Sequence, residues 1–210
     1  MTRYAFAIEI DKCIACHSCA IACKSNNNLP QEIWWNRVET EGGAYMDTAA
    51  GEYPKTLSRT YWPINCQHCS NPACVTVCPT GASYVRDDGL VEINAEECIN
   101  CKSCIQACPY DVRRAYDEEP EYYVDFPLGD WDAPEHVQNT VAKCTGCANR
   151  IDRGEVPACM EFCWTRCRHW GDIDDPNSDI SKLIASKDYV RLHEKEGTEP
   201  NVYYITSKKM

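Results

Sequence analysis

The chain opens on a short apolar run, "YAFAIEI" (4–10), rich in aromatic and β-branched side chains and bounded by charge, which predicts a strand. "RTYWPIN" (59–65) and "TVAKC" (140–144) carry the same signal. In "ASYVRDDGLVEI" (82–93) two such runs flank Asp-Asp-Gly, the signature of a hairpin. "PACVTVC" and "SCIQAC" read as single helical turns, too brief to stand alone. Further on, Ser178 is placed to cap a helix over "DISKLIAS", and "YVRL" (189–192) and "VYYI" (202–205) read as a strand pair. Two stretches carry no period. Residues 24–65 contain "IWWNRVETEGGAY" and residues 109–143 contain "EEPEYYVDFPLGDWDAPEHV". Both are acidic and aromatic with turn formers, which predicts surface loops that dock on a partner. Trp34, Trp35, Tyr122, Tyr123 and Trp131 are then either interface anchors or local packing. No apolar run approaches the length of a membrane span.

Composition changes the picture at one residue type. Of 210 residues, 17 are cysteine, which demands either disulfides or metal. Disulfide scaffolds are short, secreted and preceded by a signal peptide. Here "MTRYAFAIEIDK" enters a strand directly, with no apolar core of signal length, so the expectation is folding and metal loading in a reducing cytoplasm. A net charge of −11 and a pI near 4.9 argue against nucleic acid as a partner. "VRRA" and "TRCRHW" are too short to reverse that and read as solvated or interfacial arginines.

The cysteines fall into four groups: Cys13-Cys16-Cys19-Cys23, Cys66-Cys69-Cys74-Cys78, Cys98-Cys101-Cys104-Cys108 and Cys144-Cys147-Cys159-Cys163, with Cys167 left over. The first and third have the spacing C-x2-C-x2-C-x3-C, and Pro79 and Pro109 follow the second and third groups. This is the bacterial ferredoxin run, in which three cysteines hold one [4Fe-4S] cluster and the fourth reaches its neighbour. Two-residue gaps let a tight loop aim three thiolates at one cubane; the fourth, a helical turn on, points away from it. The simplest crossed pairing gives four sets. Cys66, Cys69, Cys74 and Cys108 form one, and Cys98, Cys101, Cys104 and Cys78 its mate. Cys13, Cys16, Cys19 and Cys163 form a third, and Cys144, Cys147, Cys159 and Cys23 the fourth. The expected fold is therefore α+β, a duplicated pair of ferredoxin-like modules with cross-ligated clusters. An outer module (1–23 and 139–170) encloses an inner one (59–108), with insertions at 24–58 and 109–138 and a helix-plus-strand docking tail at 171–210. Structural zinc accepts C-x2-C pairs but does not need third and fourth thiols so near.

Through these groups the chain resembles the four-cluster iron–sulfur subunits of molybdopterin oxidoreductases of the dimethyl sulfoxide reductase superfamily. "NCQHCSNPACVTVCPTGA" (65–82) and "AKCTGCANRIDRGEVPACMEFC" (142–163) are similar to that family's second and last groups. "GDIDDPNSDISKLI" (171–184) and "GTEPNVYYI" (197–205) resemble the tails of subunits serving polysulfide, thiosulfate and arsenate reductases. Two departures stand out. Trp164 occupies the usual proline position after the last group, and Cys167 is added four residues past Cys163, either as a small buried side chain or as an alternative ligand. Some relatives carry tryptophan within the third group and a three-iron cluster; here all four positions are cysteine, so four-iron clusters are expected throughout.

Between the ligands, Lys102 is placed to raise a cluster potential or to sit in solvent, and His17 and His68 to hydrogen-bond near a cluster. Arg113 and Arg114 either neutralise cluster charge or form surface ion pairs. The sequence shows no phosphate-binding glycine loop and no nucleophile–base constellation, so the chain itself does no bond chemistry and relays single electrons. The resemblance implies a large catalytic subunit with a molybdenum or tungsten bis-pterin as partner, and a membrane quinol-oxidising anchor or a soluble donor at the other end. It also implies the outer face of the cytoplasmic membrane, reached through a twin-arginine signal on the partner, with the cytoplasm as the alternative. A stand-alone polyferredoxin is the competing function.

Overall fold

A computed structural model describes residues 2–40 and 49–207. The part of the first insertion that reads "EGGAY" lies outside the described residues.

In chain order the elements are β1 (Tyr4–Glu9), α1 (Ser18–Asn26), β2 (Arg37–Thr40), β3 (Tyr61–Ile64), α2 (Ala73–Thr76), β4 (Ser83–Val85), β5 (Val91–Ile93), α3 (Ser103–Gln106), β6 (Arg113–Tyr116), β7 (Thr140–Lys143), α4 (Ala148–Asp152), α5 (Ala158–Glu161), β8 (Arg168–Asp172), α6 (Asp179–Ser186), β9 (Tyr189–Val190) and β10 (Val202–Ile205). This is a mixture of short helices and strands, the α+β class read from the sequence. The largest sheet has the order β8-β1-β10-β9, with β1 parallel to β10 and antiparallel to β8. Three two-stranded ribbons, β2-β3, β4-β5 and β6-β7, complete the strands.

The unbroken apolar run of β1 follows from its position, because both of its faces are covered. Phe6 and Ile8 point into a core with Val202, Tyr204, Leu90, Ile151 and Met160. Ala5 and Ala7 point the other way, onto Ile180 of α6, with Tyr203 and Ile205 beside them. Small residues on that face let the helix approach closely. Ser178 caps α6 by accepting from Ser181 N at 3.2 Å. The Asp-Asp-Gly hairpin closes as read, with Arg86 N donating to Leu90 O at 2.8 Å and Gly89 at φ +83°, a backbone state only glycine adopts without cost.

The tail does more than pair with itself. β10 lies between β1 and β9, inside the sheet, and the segment before it clasps the loop that carries Cys66 and Cys69. Ser70 N donates to Glu199 O, Asn71 N to Thr198 O, and Asn201 Nδ2 to His68 O at 2.7 Å. Tyr110 and Thr198 share a buried 2.6 Å hydrogen bond. The insertion after β6 is strapped onto α1 and α4, where Arg150 and Arg153 pair with Asp130, Arg153 with Asp132, and His136 Nε2 meets Asn27 O at 2.8 Å. Trp35, expected in a surface loop, is 3% exposed and stacks edge-on against His136. Trp131 stands in solvent at 87% exposure.

Candidate metal centre

Each cysteine group begins with the same backbone device. The residue just before its second cysteine has positive φ: Ala15 at 53°, His68 at 42°, Asn100 at 51° and Gly146 at 74°. In the first and third groups a second left-handed residue follows that cysteine, His17 at 57° and Lys102 at 63°. Alternating right- and left-handed residues turn successive N–H groups toward one point and make an anion-binding concavity. Gly146 is needed for space as well as φ, since a Cβ there would meet Leu90 Cδ2 at 3.0 Å and Phe6 Cζ at 3.3 Å. Backbone N–H groups already reach sulfur at 3.4 Å in three places, from Gly146 to Cys144, Ser83 to Cys78 and Val141 to Cys98. A short helix then carries the later cysteines away from the loop. α1 holds Cys19 and Cys23, and α2, α3 and α5 hold Cys74, Cys104 and Cys159.

The thiols surround hollows rather than points. Cys23, Cys144, Cys147 and Cys159 line one of about 380 Å³ including its mouth. Cys66, Cys69, Cys74 and Cys108 line another of about 350 Å³, and Cys78, Cys98, Cys101 and Cys104 a third of about 310 Å³. Cys19 lies within electrostatic reach of Cys159, Cys163 and Cys16, and Cys13 contacts Cys167. Cys163 Sγ and Cys167 Sγ are 3.5 Å apart, so the additional thiol is buried directly beside the predicted one. The first two sets meet in one apolar cluster through Cys23, Cys144, Cys66 and Cys69, with Ile64, Trp35 and Tyr110 between them. Each of the other two sets reaches the surface through one exposed thiol, Cys16 and Cys101. Burial, helped by neighbouring thiols, pushes Cys69 and Cys144 up to about 12, so these sulfurs ionise only when something compensates the charge. Among the described residues no three His, Cys, Asp or Glu side chains close on a single-ion site.

Of what lies beside the hollows, the sequence offered Arg113 and missed Lys143 and Arg168. Arg113, Lys143 and Arg168 are 1%, 3% and 5% exposed, and none pairs with a carboxylate among the described residues. Arg113 Nη2 is 2.9 Å from Cys74 Sγ and Nη1 2.9 Å from Ser83 Oγ. Arg168 Nη2 donates to Asn65 Oδ1 at 2.7 Å, while its Nε and Nη1 are buried with no partner. Lys143 Nζ reaches only the carbonyls of Val91 and Cys144. Burial disfavours both guanidinium charges, yet the surrounding thiols outweigh it and keep them cationic. "VRRA" and "TRCRHW" are therefore not solvated patches at these positions. Arg114 does form a surface pair, with Asp111 at 2.9 Å, and Arg166 is exposed. A sequence signal for the buried pair was present, because Arg113 and Arg168 each stand five residues past the last cysteine of their groups, Cys108 and Cys163.

Lys102 spends its charge on Asp117 at 2.8 Å and is half exposed. His17 precedes α1 in a left-handed turn, without a side-chain cap. His68 is fully buried and accepts from Val91 N at 3.0 Å through Nδ1, which puts its proton on Nε2, an atom without a partner. Burial first, then Lys143 and Arg113, hold its pKa well below the ordinary value, so it stays neutral.

The residues fit a [4Fe-4S] group. Three thiol-lined hollows, inward N–H groups and three buried cations without a carboxylate partner among the described residues are the complement of an anionic cluster held by sulfur.

Comparison with known proteins agrees. The family model for the 4Fe-4S dicluster domain matches residues 57–122 and 130–173. A protein assigned as the iron–sulfur subunit of a dimethyl sulfoxide reductase, from Halobacterium salinarum, is 44% identical over 99% of this chain and 80% of that protein. A component of the polysulfide reductase of Wolinella succinogenes is 36% identical over 99% of this chain and 96% of its own length. The arsenate respiratory reductase iron–sulfur subunit of a Shewanella species is 34% identical over 98% and 97%. These relatives are components of larger reductases, which sets aside the free polyferredoxin. Long, near end-to-end similarity of this kind, in a molecule whose thiols and buried cations suit iron–sulfur groups, assigns it: the protein belongs to the 4Fe-4S dicluster family, as an iron–sulfur electron-transfer subunit of multi-subunit reductases.

Proposed function

We propose that sixteen of the cysteines hold four [4Fe-4S] clusters in the crossed sets above, Cys13/Cys16/Cys19/Cys163, Cys23/Cys144/Cys147/Cys159, Cys66/Cys69/Cys74/Cys108 and Cys78/Cys98/Cys101/Cys104, in that spatial order. The observation that carries the reading is the grouping of twelve of these thiols into three hollows of four, each drawn from two cysteine groups, with buried cations against two of them. The repeated left-handed residue before every second cysteine supports duplication of one ligand loop within two modules. When bound, such clusters supply one-electron carriers of tunable potential. The protein's part is to hold them in a row, dry in the middle and open at each end. The shared apolar cluster of the two middle sets excludes water there, and the exposed Cys16 and Cys101 mark two surfaces for exchange with partners. Ile14 and Ile99, each 62% exposed and each following the first cysteine of its group, give both ends an apolar rim suited to docking.

One end then faces a catalytic subunit. The resemblance makes that subunit a molybdenum or tungsten bis-pterin protein and the opposite donor a membrane quinol-oxidising subunit or a soluble carrier, at the outer face of the cytoplasmic membrane. Anaerobic affinity purification of the tagged chain tests this. We expect about sixteen iron atoms and as many labile sulfides in the chain, with a larger pterin-containing protein copurifying. A colourless chain, or an iron-loaded one that runs alone as a monomer under native conditions, refutes the proposal.

A further inference from the structure

Arg113 and Arg168 occupy one position twice. Each stands five residues past the last cysteine of its group and opens the strand that follows, β6 for Arg113 and β8 for Arg168. At the corresponding place after Cys78 stands Ser83, which opens β4 and takes a hydrogen bond from Arg113. After Cys23 the place is taken by Asn28, in a turn. The crossed arrangement therefore supplies one arginine per pair of thiol sets.

Both side chains lie between the two sets of their own pair. Arg113 lines the hollow of Cys66, Cys69, Cys74 and Cys108, touches Cys74 Sγ at 2.9 Å and also contacts Cys104 of the neighbouring set. Arg168 lines the hollow of Cys23, Cys144, Cys147 and Cys159, and its charge bears on both Cys159 of that set and Cys19 of the other. Among the described residues its side chain hydrogen-bonds only to the neutral Asn65, with Nε and Nη1 left over. Among the described residues neither charge is cancelled by a carboxylate, and both side chains are buried. Lys102 differs on both counts, being half exposed and paired with Asp117.

We propose that Arg113 and Arg168 are paired tuning residues, each setting the reduction potentials of both clusters in its own module through one shared buried charge. The inference rests on the four-cluster reading above. Reduction adds an electron to an anionic cluster, and a buried cation beside it stabilises the reduced form, so the potential rises. Arginine suits the task because it keeps its proton at every physiological pH, so the bias does not drift with pH. The duplicated placement gives each half of the row an arginine of its own, while the buried Lys143 bears on both halves, through Cys74 and Cys144.

The test is a redox titration followed by low-temperature electron paramagnetic resonance on the purified complex carrying Arg168→Gln, Arg168→Lys, Arg113→Gln or Arg113→Lys, with iron and labile sulfide measured on each. We expect full iron content, a fall in two midpoint potentials in each glutamine variant, and recovery toward wild type in the lysine variants. The two potentials that fall in Arg168→Gln are those that stay in place in Arg113→Gln. Full iron with unmoved potentials, or all four potentials shifting together in either variant, overturns the assignment while leaving the clusters intact. If Arg168→Gln loses iron, Arg113→Gln decides the question by the same criterion. Loss of iron from both the glutamine and the lysine variants gives the arginines a holding role and overturns tuning. A wild-type chain without about sixteen iron atoms overturns the underlying four-cluster reading instead.

Discussion

Removing the iron should cost this protein its fold, and the structure indicates by how much. Arg113, Lys143 and Arg168 are 1%, 3% and 5% exposed and have no carboxylate partner among the described residues. An uncompensated buried ion costs several kcal/mol even after relaxation, so three cost about 10 kcal/mol or more. Ala15, His17, His68, Asn100, Lys102 and Cys147 add left-handed strain at non-glycine positions, at about 1–2 kcal/mol each. Against this stands a total stability of about 5–15 kcal/mol for an ordinary domain. Without a bound anionic group the balance is negative, and the ligand loops, which carry the strain and pack against the buried charges of β6, β7 and β8, must open. Anaerobic chelation after mild oxidation, followed by far-ultraviolet circular dichroism, dye binding and urea titration, should therefore show lost structure, exposed apolar surface and no cooperative transition. The sign of one substitution follows as well. Apo Arg168→Met, relieved of one buried charge, should retain more structure than apo wild type. Apoprotein that keeps the native spectrum and unfolds cooperatively would refute the reasoning, as would an apo Arg168→Met less ordered than apo wild type.

Two further predictions concern single side chains. Burial raises the Glu9 carboxyl, but hydrogen bonds from Lys12, Lys187 and His169 outweigh it and hold the group at about 2, so Glu9→Gln should destabilise the loaded protein by about 1–3 kcal/mol at pH 7. Because the folded value lies below the ordinary 4.5, the contribution is complete above about pH 4.5 and is lost only as pH falls toward 2. Denaturant midpoints followed by cluster absorbance should thus differ between wild type and variant by the same amount at pH 6 and pH 8, and a gap that closes toward pH 6 contradicts the assignment. Cys167→Ala should keep the full iron content, because Cys163, not Cys167, shares with Cys108 the position five residues before a buried arginine. A loss of about four iron atoms makes Cys167 the ligand.

The sequence disclosed the parts of the site that depend on short-range spacing. Two-residue gaps set thiols around a loop whatever the distant chain does, and three hollows are each lined by four thiols drawn from two groups. β1 was equally plain, since a strand covered on both faces is apolar except where a buried charge is paired, as Glu9 is with Lys12 and Lys187. The strands missed by periodicity were β2, β6 and β8, written "RVET", "RRAY" and "RHWGD". Their charge hides them, yet each is held by a partner strand far away, as in the pairing of Arg168 with Ile8. The same charge disguised Arg168, and left Arg113 divided between a cluster and a surface pair. In isolation an arginine inside a basic run is a surface residue, because burial without a carboxylate is too costly to expect. That inference fails when the counter-charge belongs to a group the amino-acid alphabet does not write. The cysteines report where the anionic group sits only to a reader who already counts it as a charge. Once it is counted, five residues past Cys108 and Cys163 become places where the chain needs a cation, and it has one at both. The cost of burying Arg113 and Arg168 is thus evidence about what they face. A cation held dry against four thiols marks a negative centre that folding presupposes, and such a charge cannot sit there without shifting the energy of an added electron.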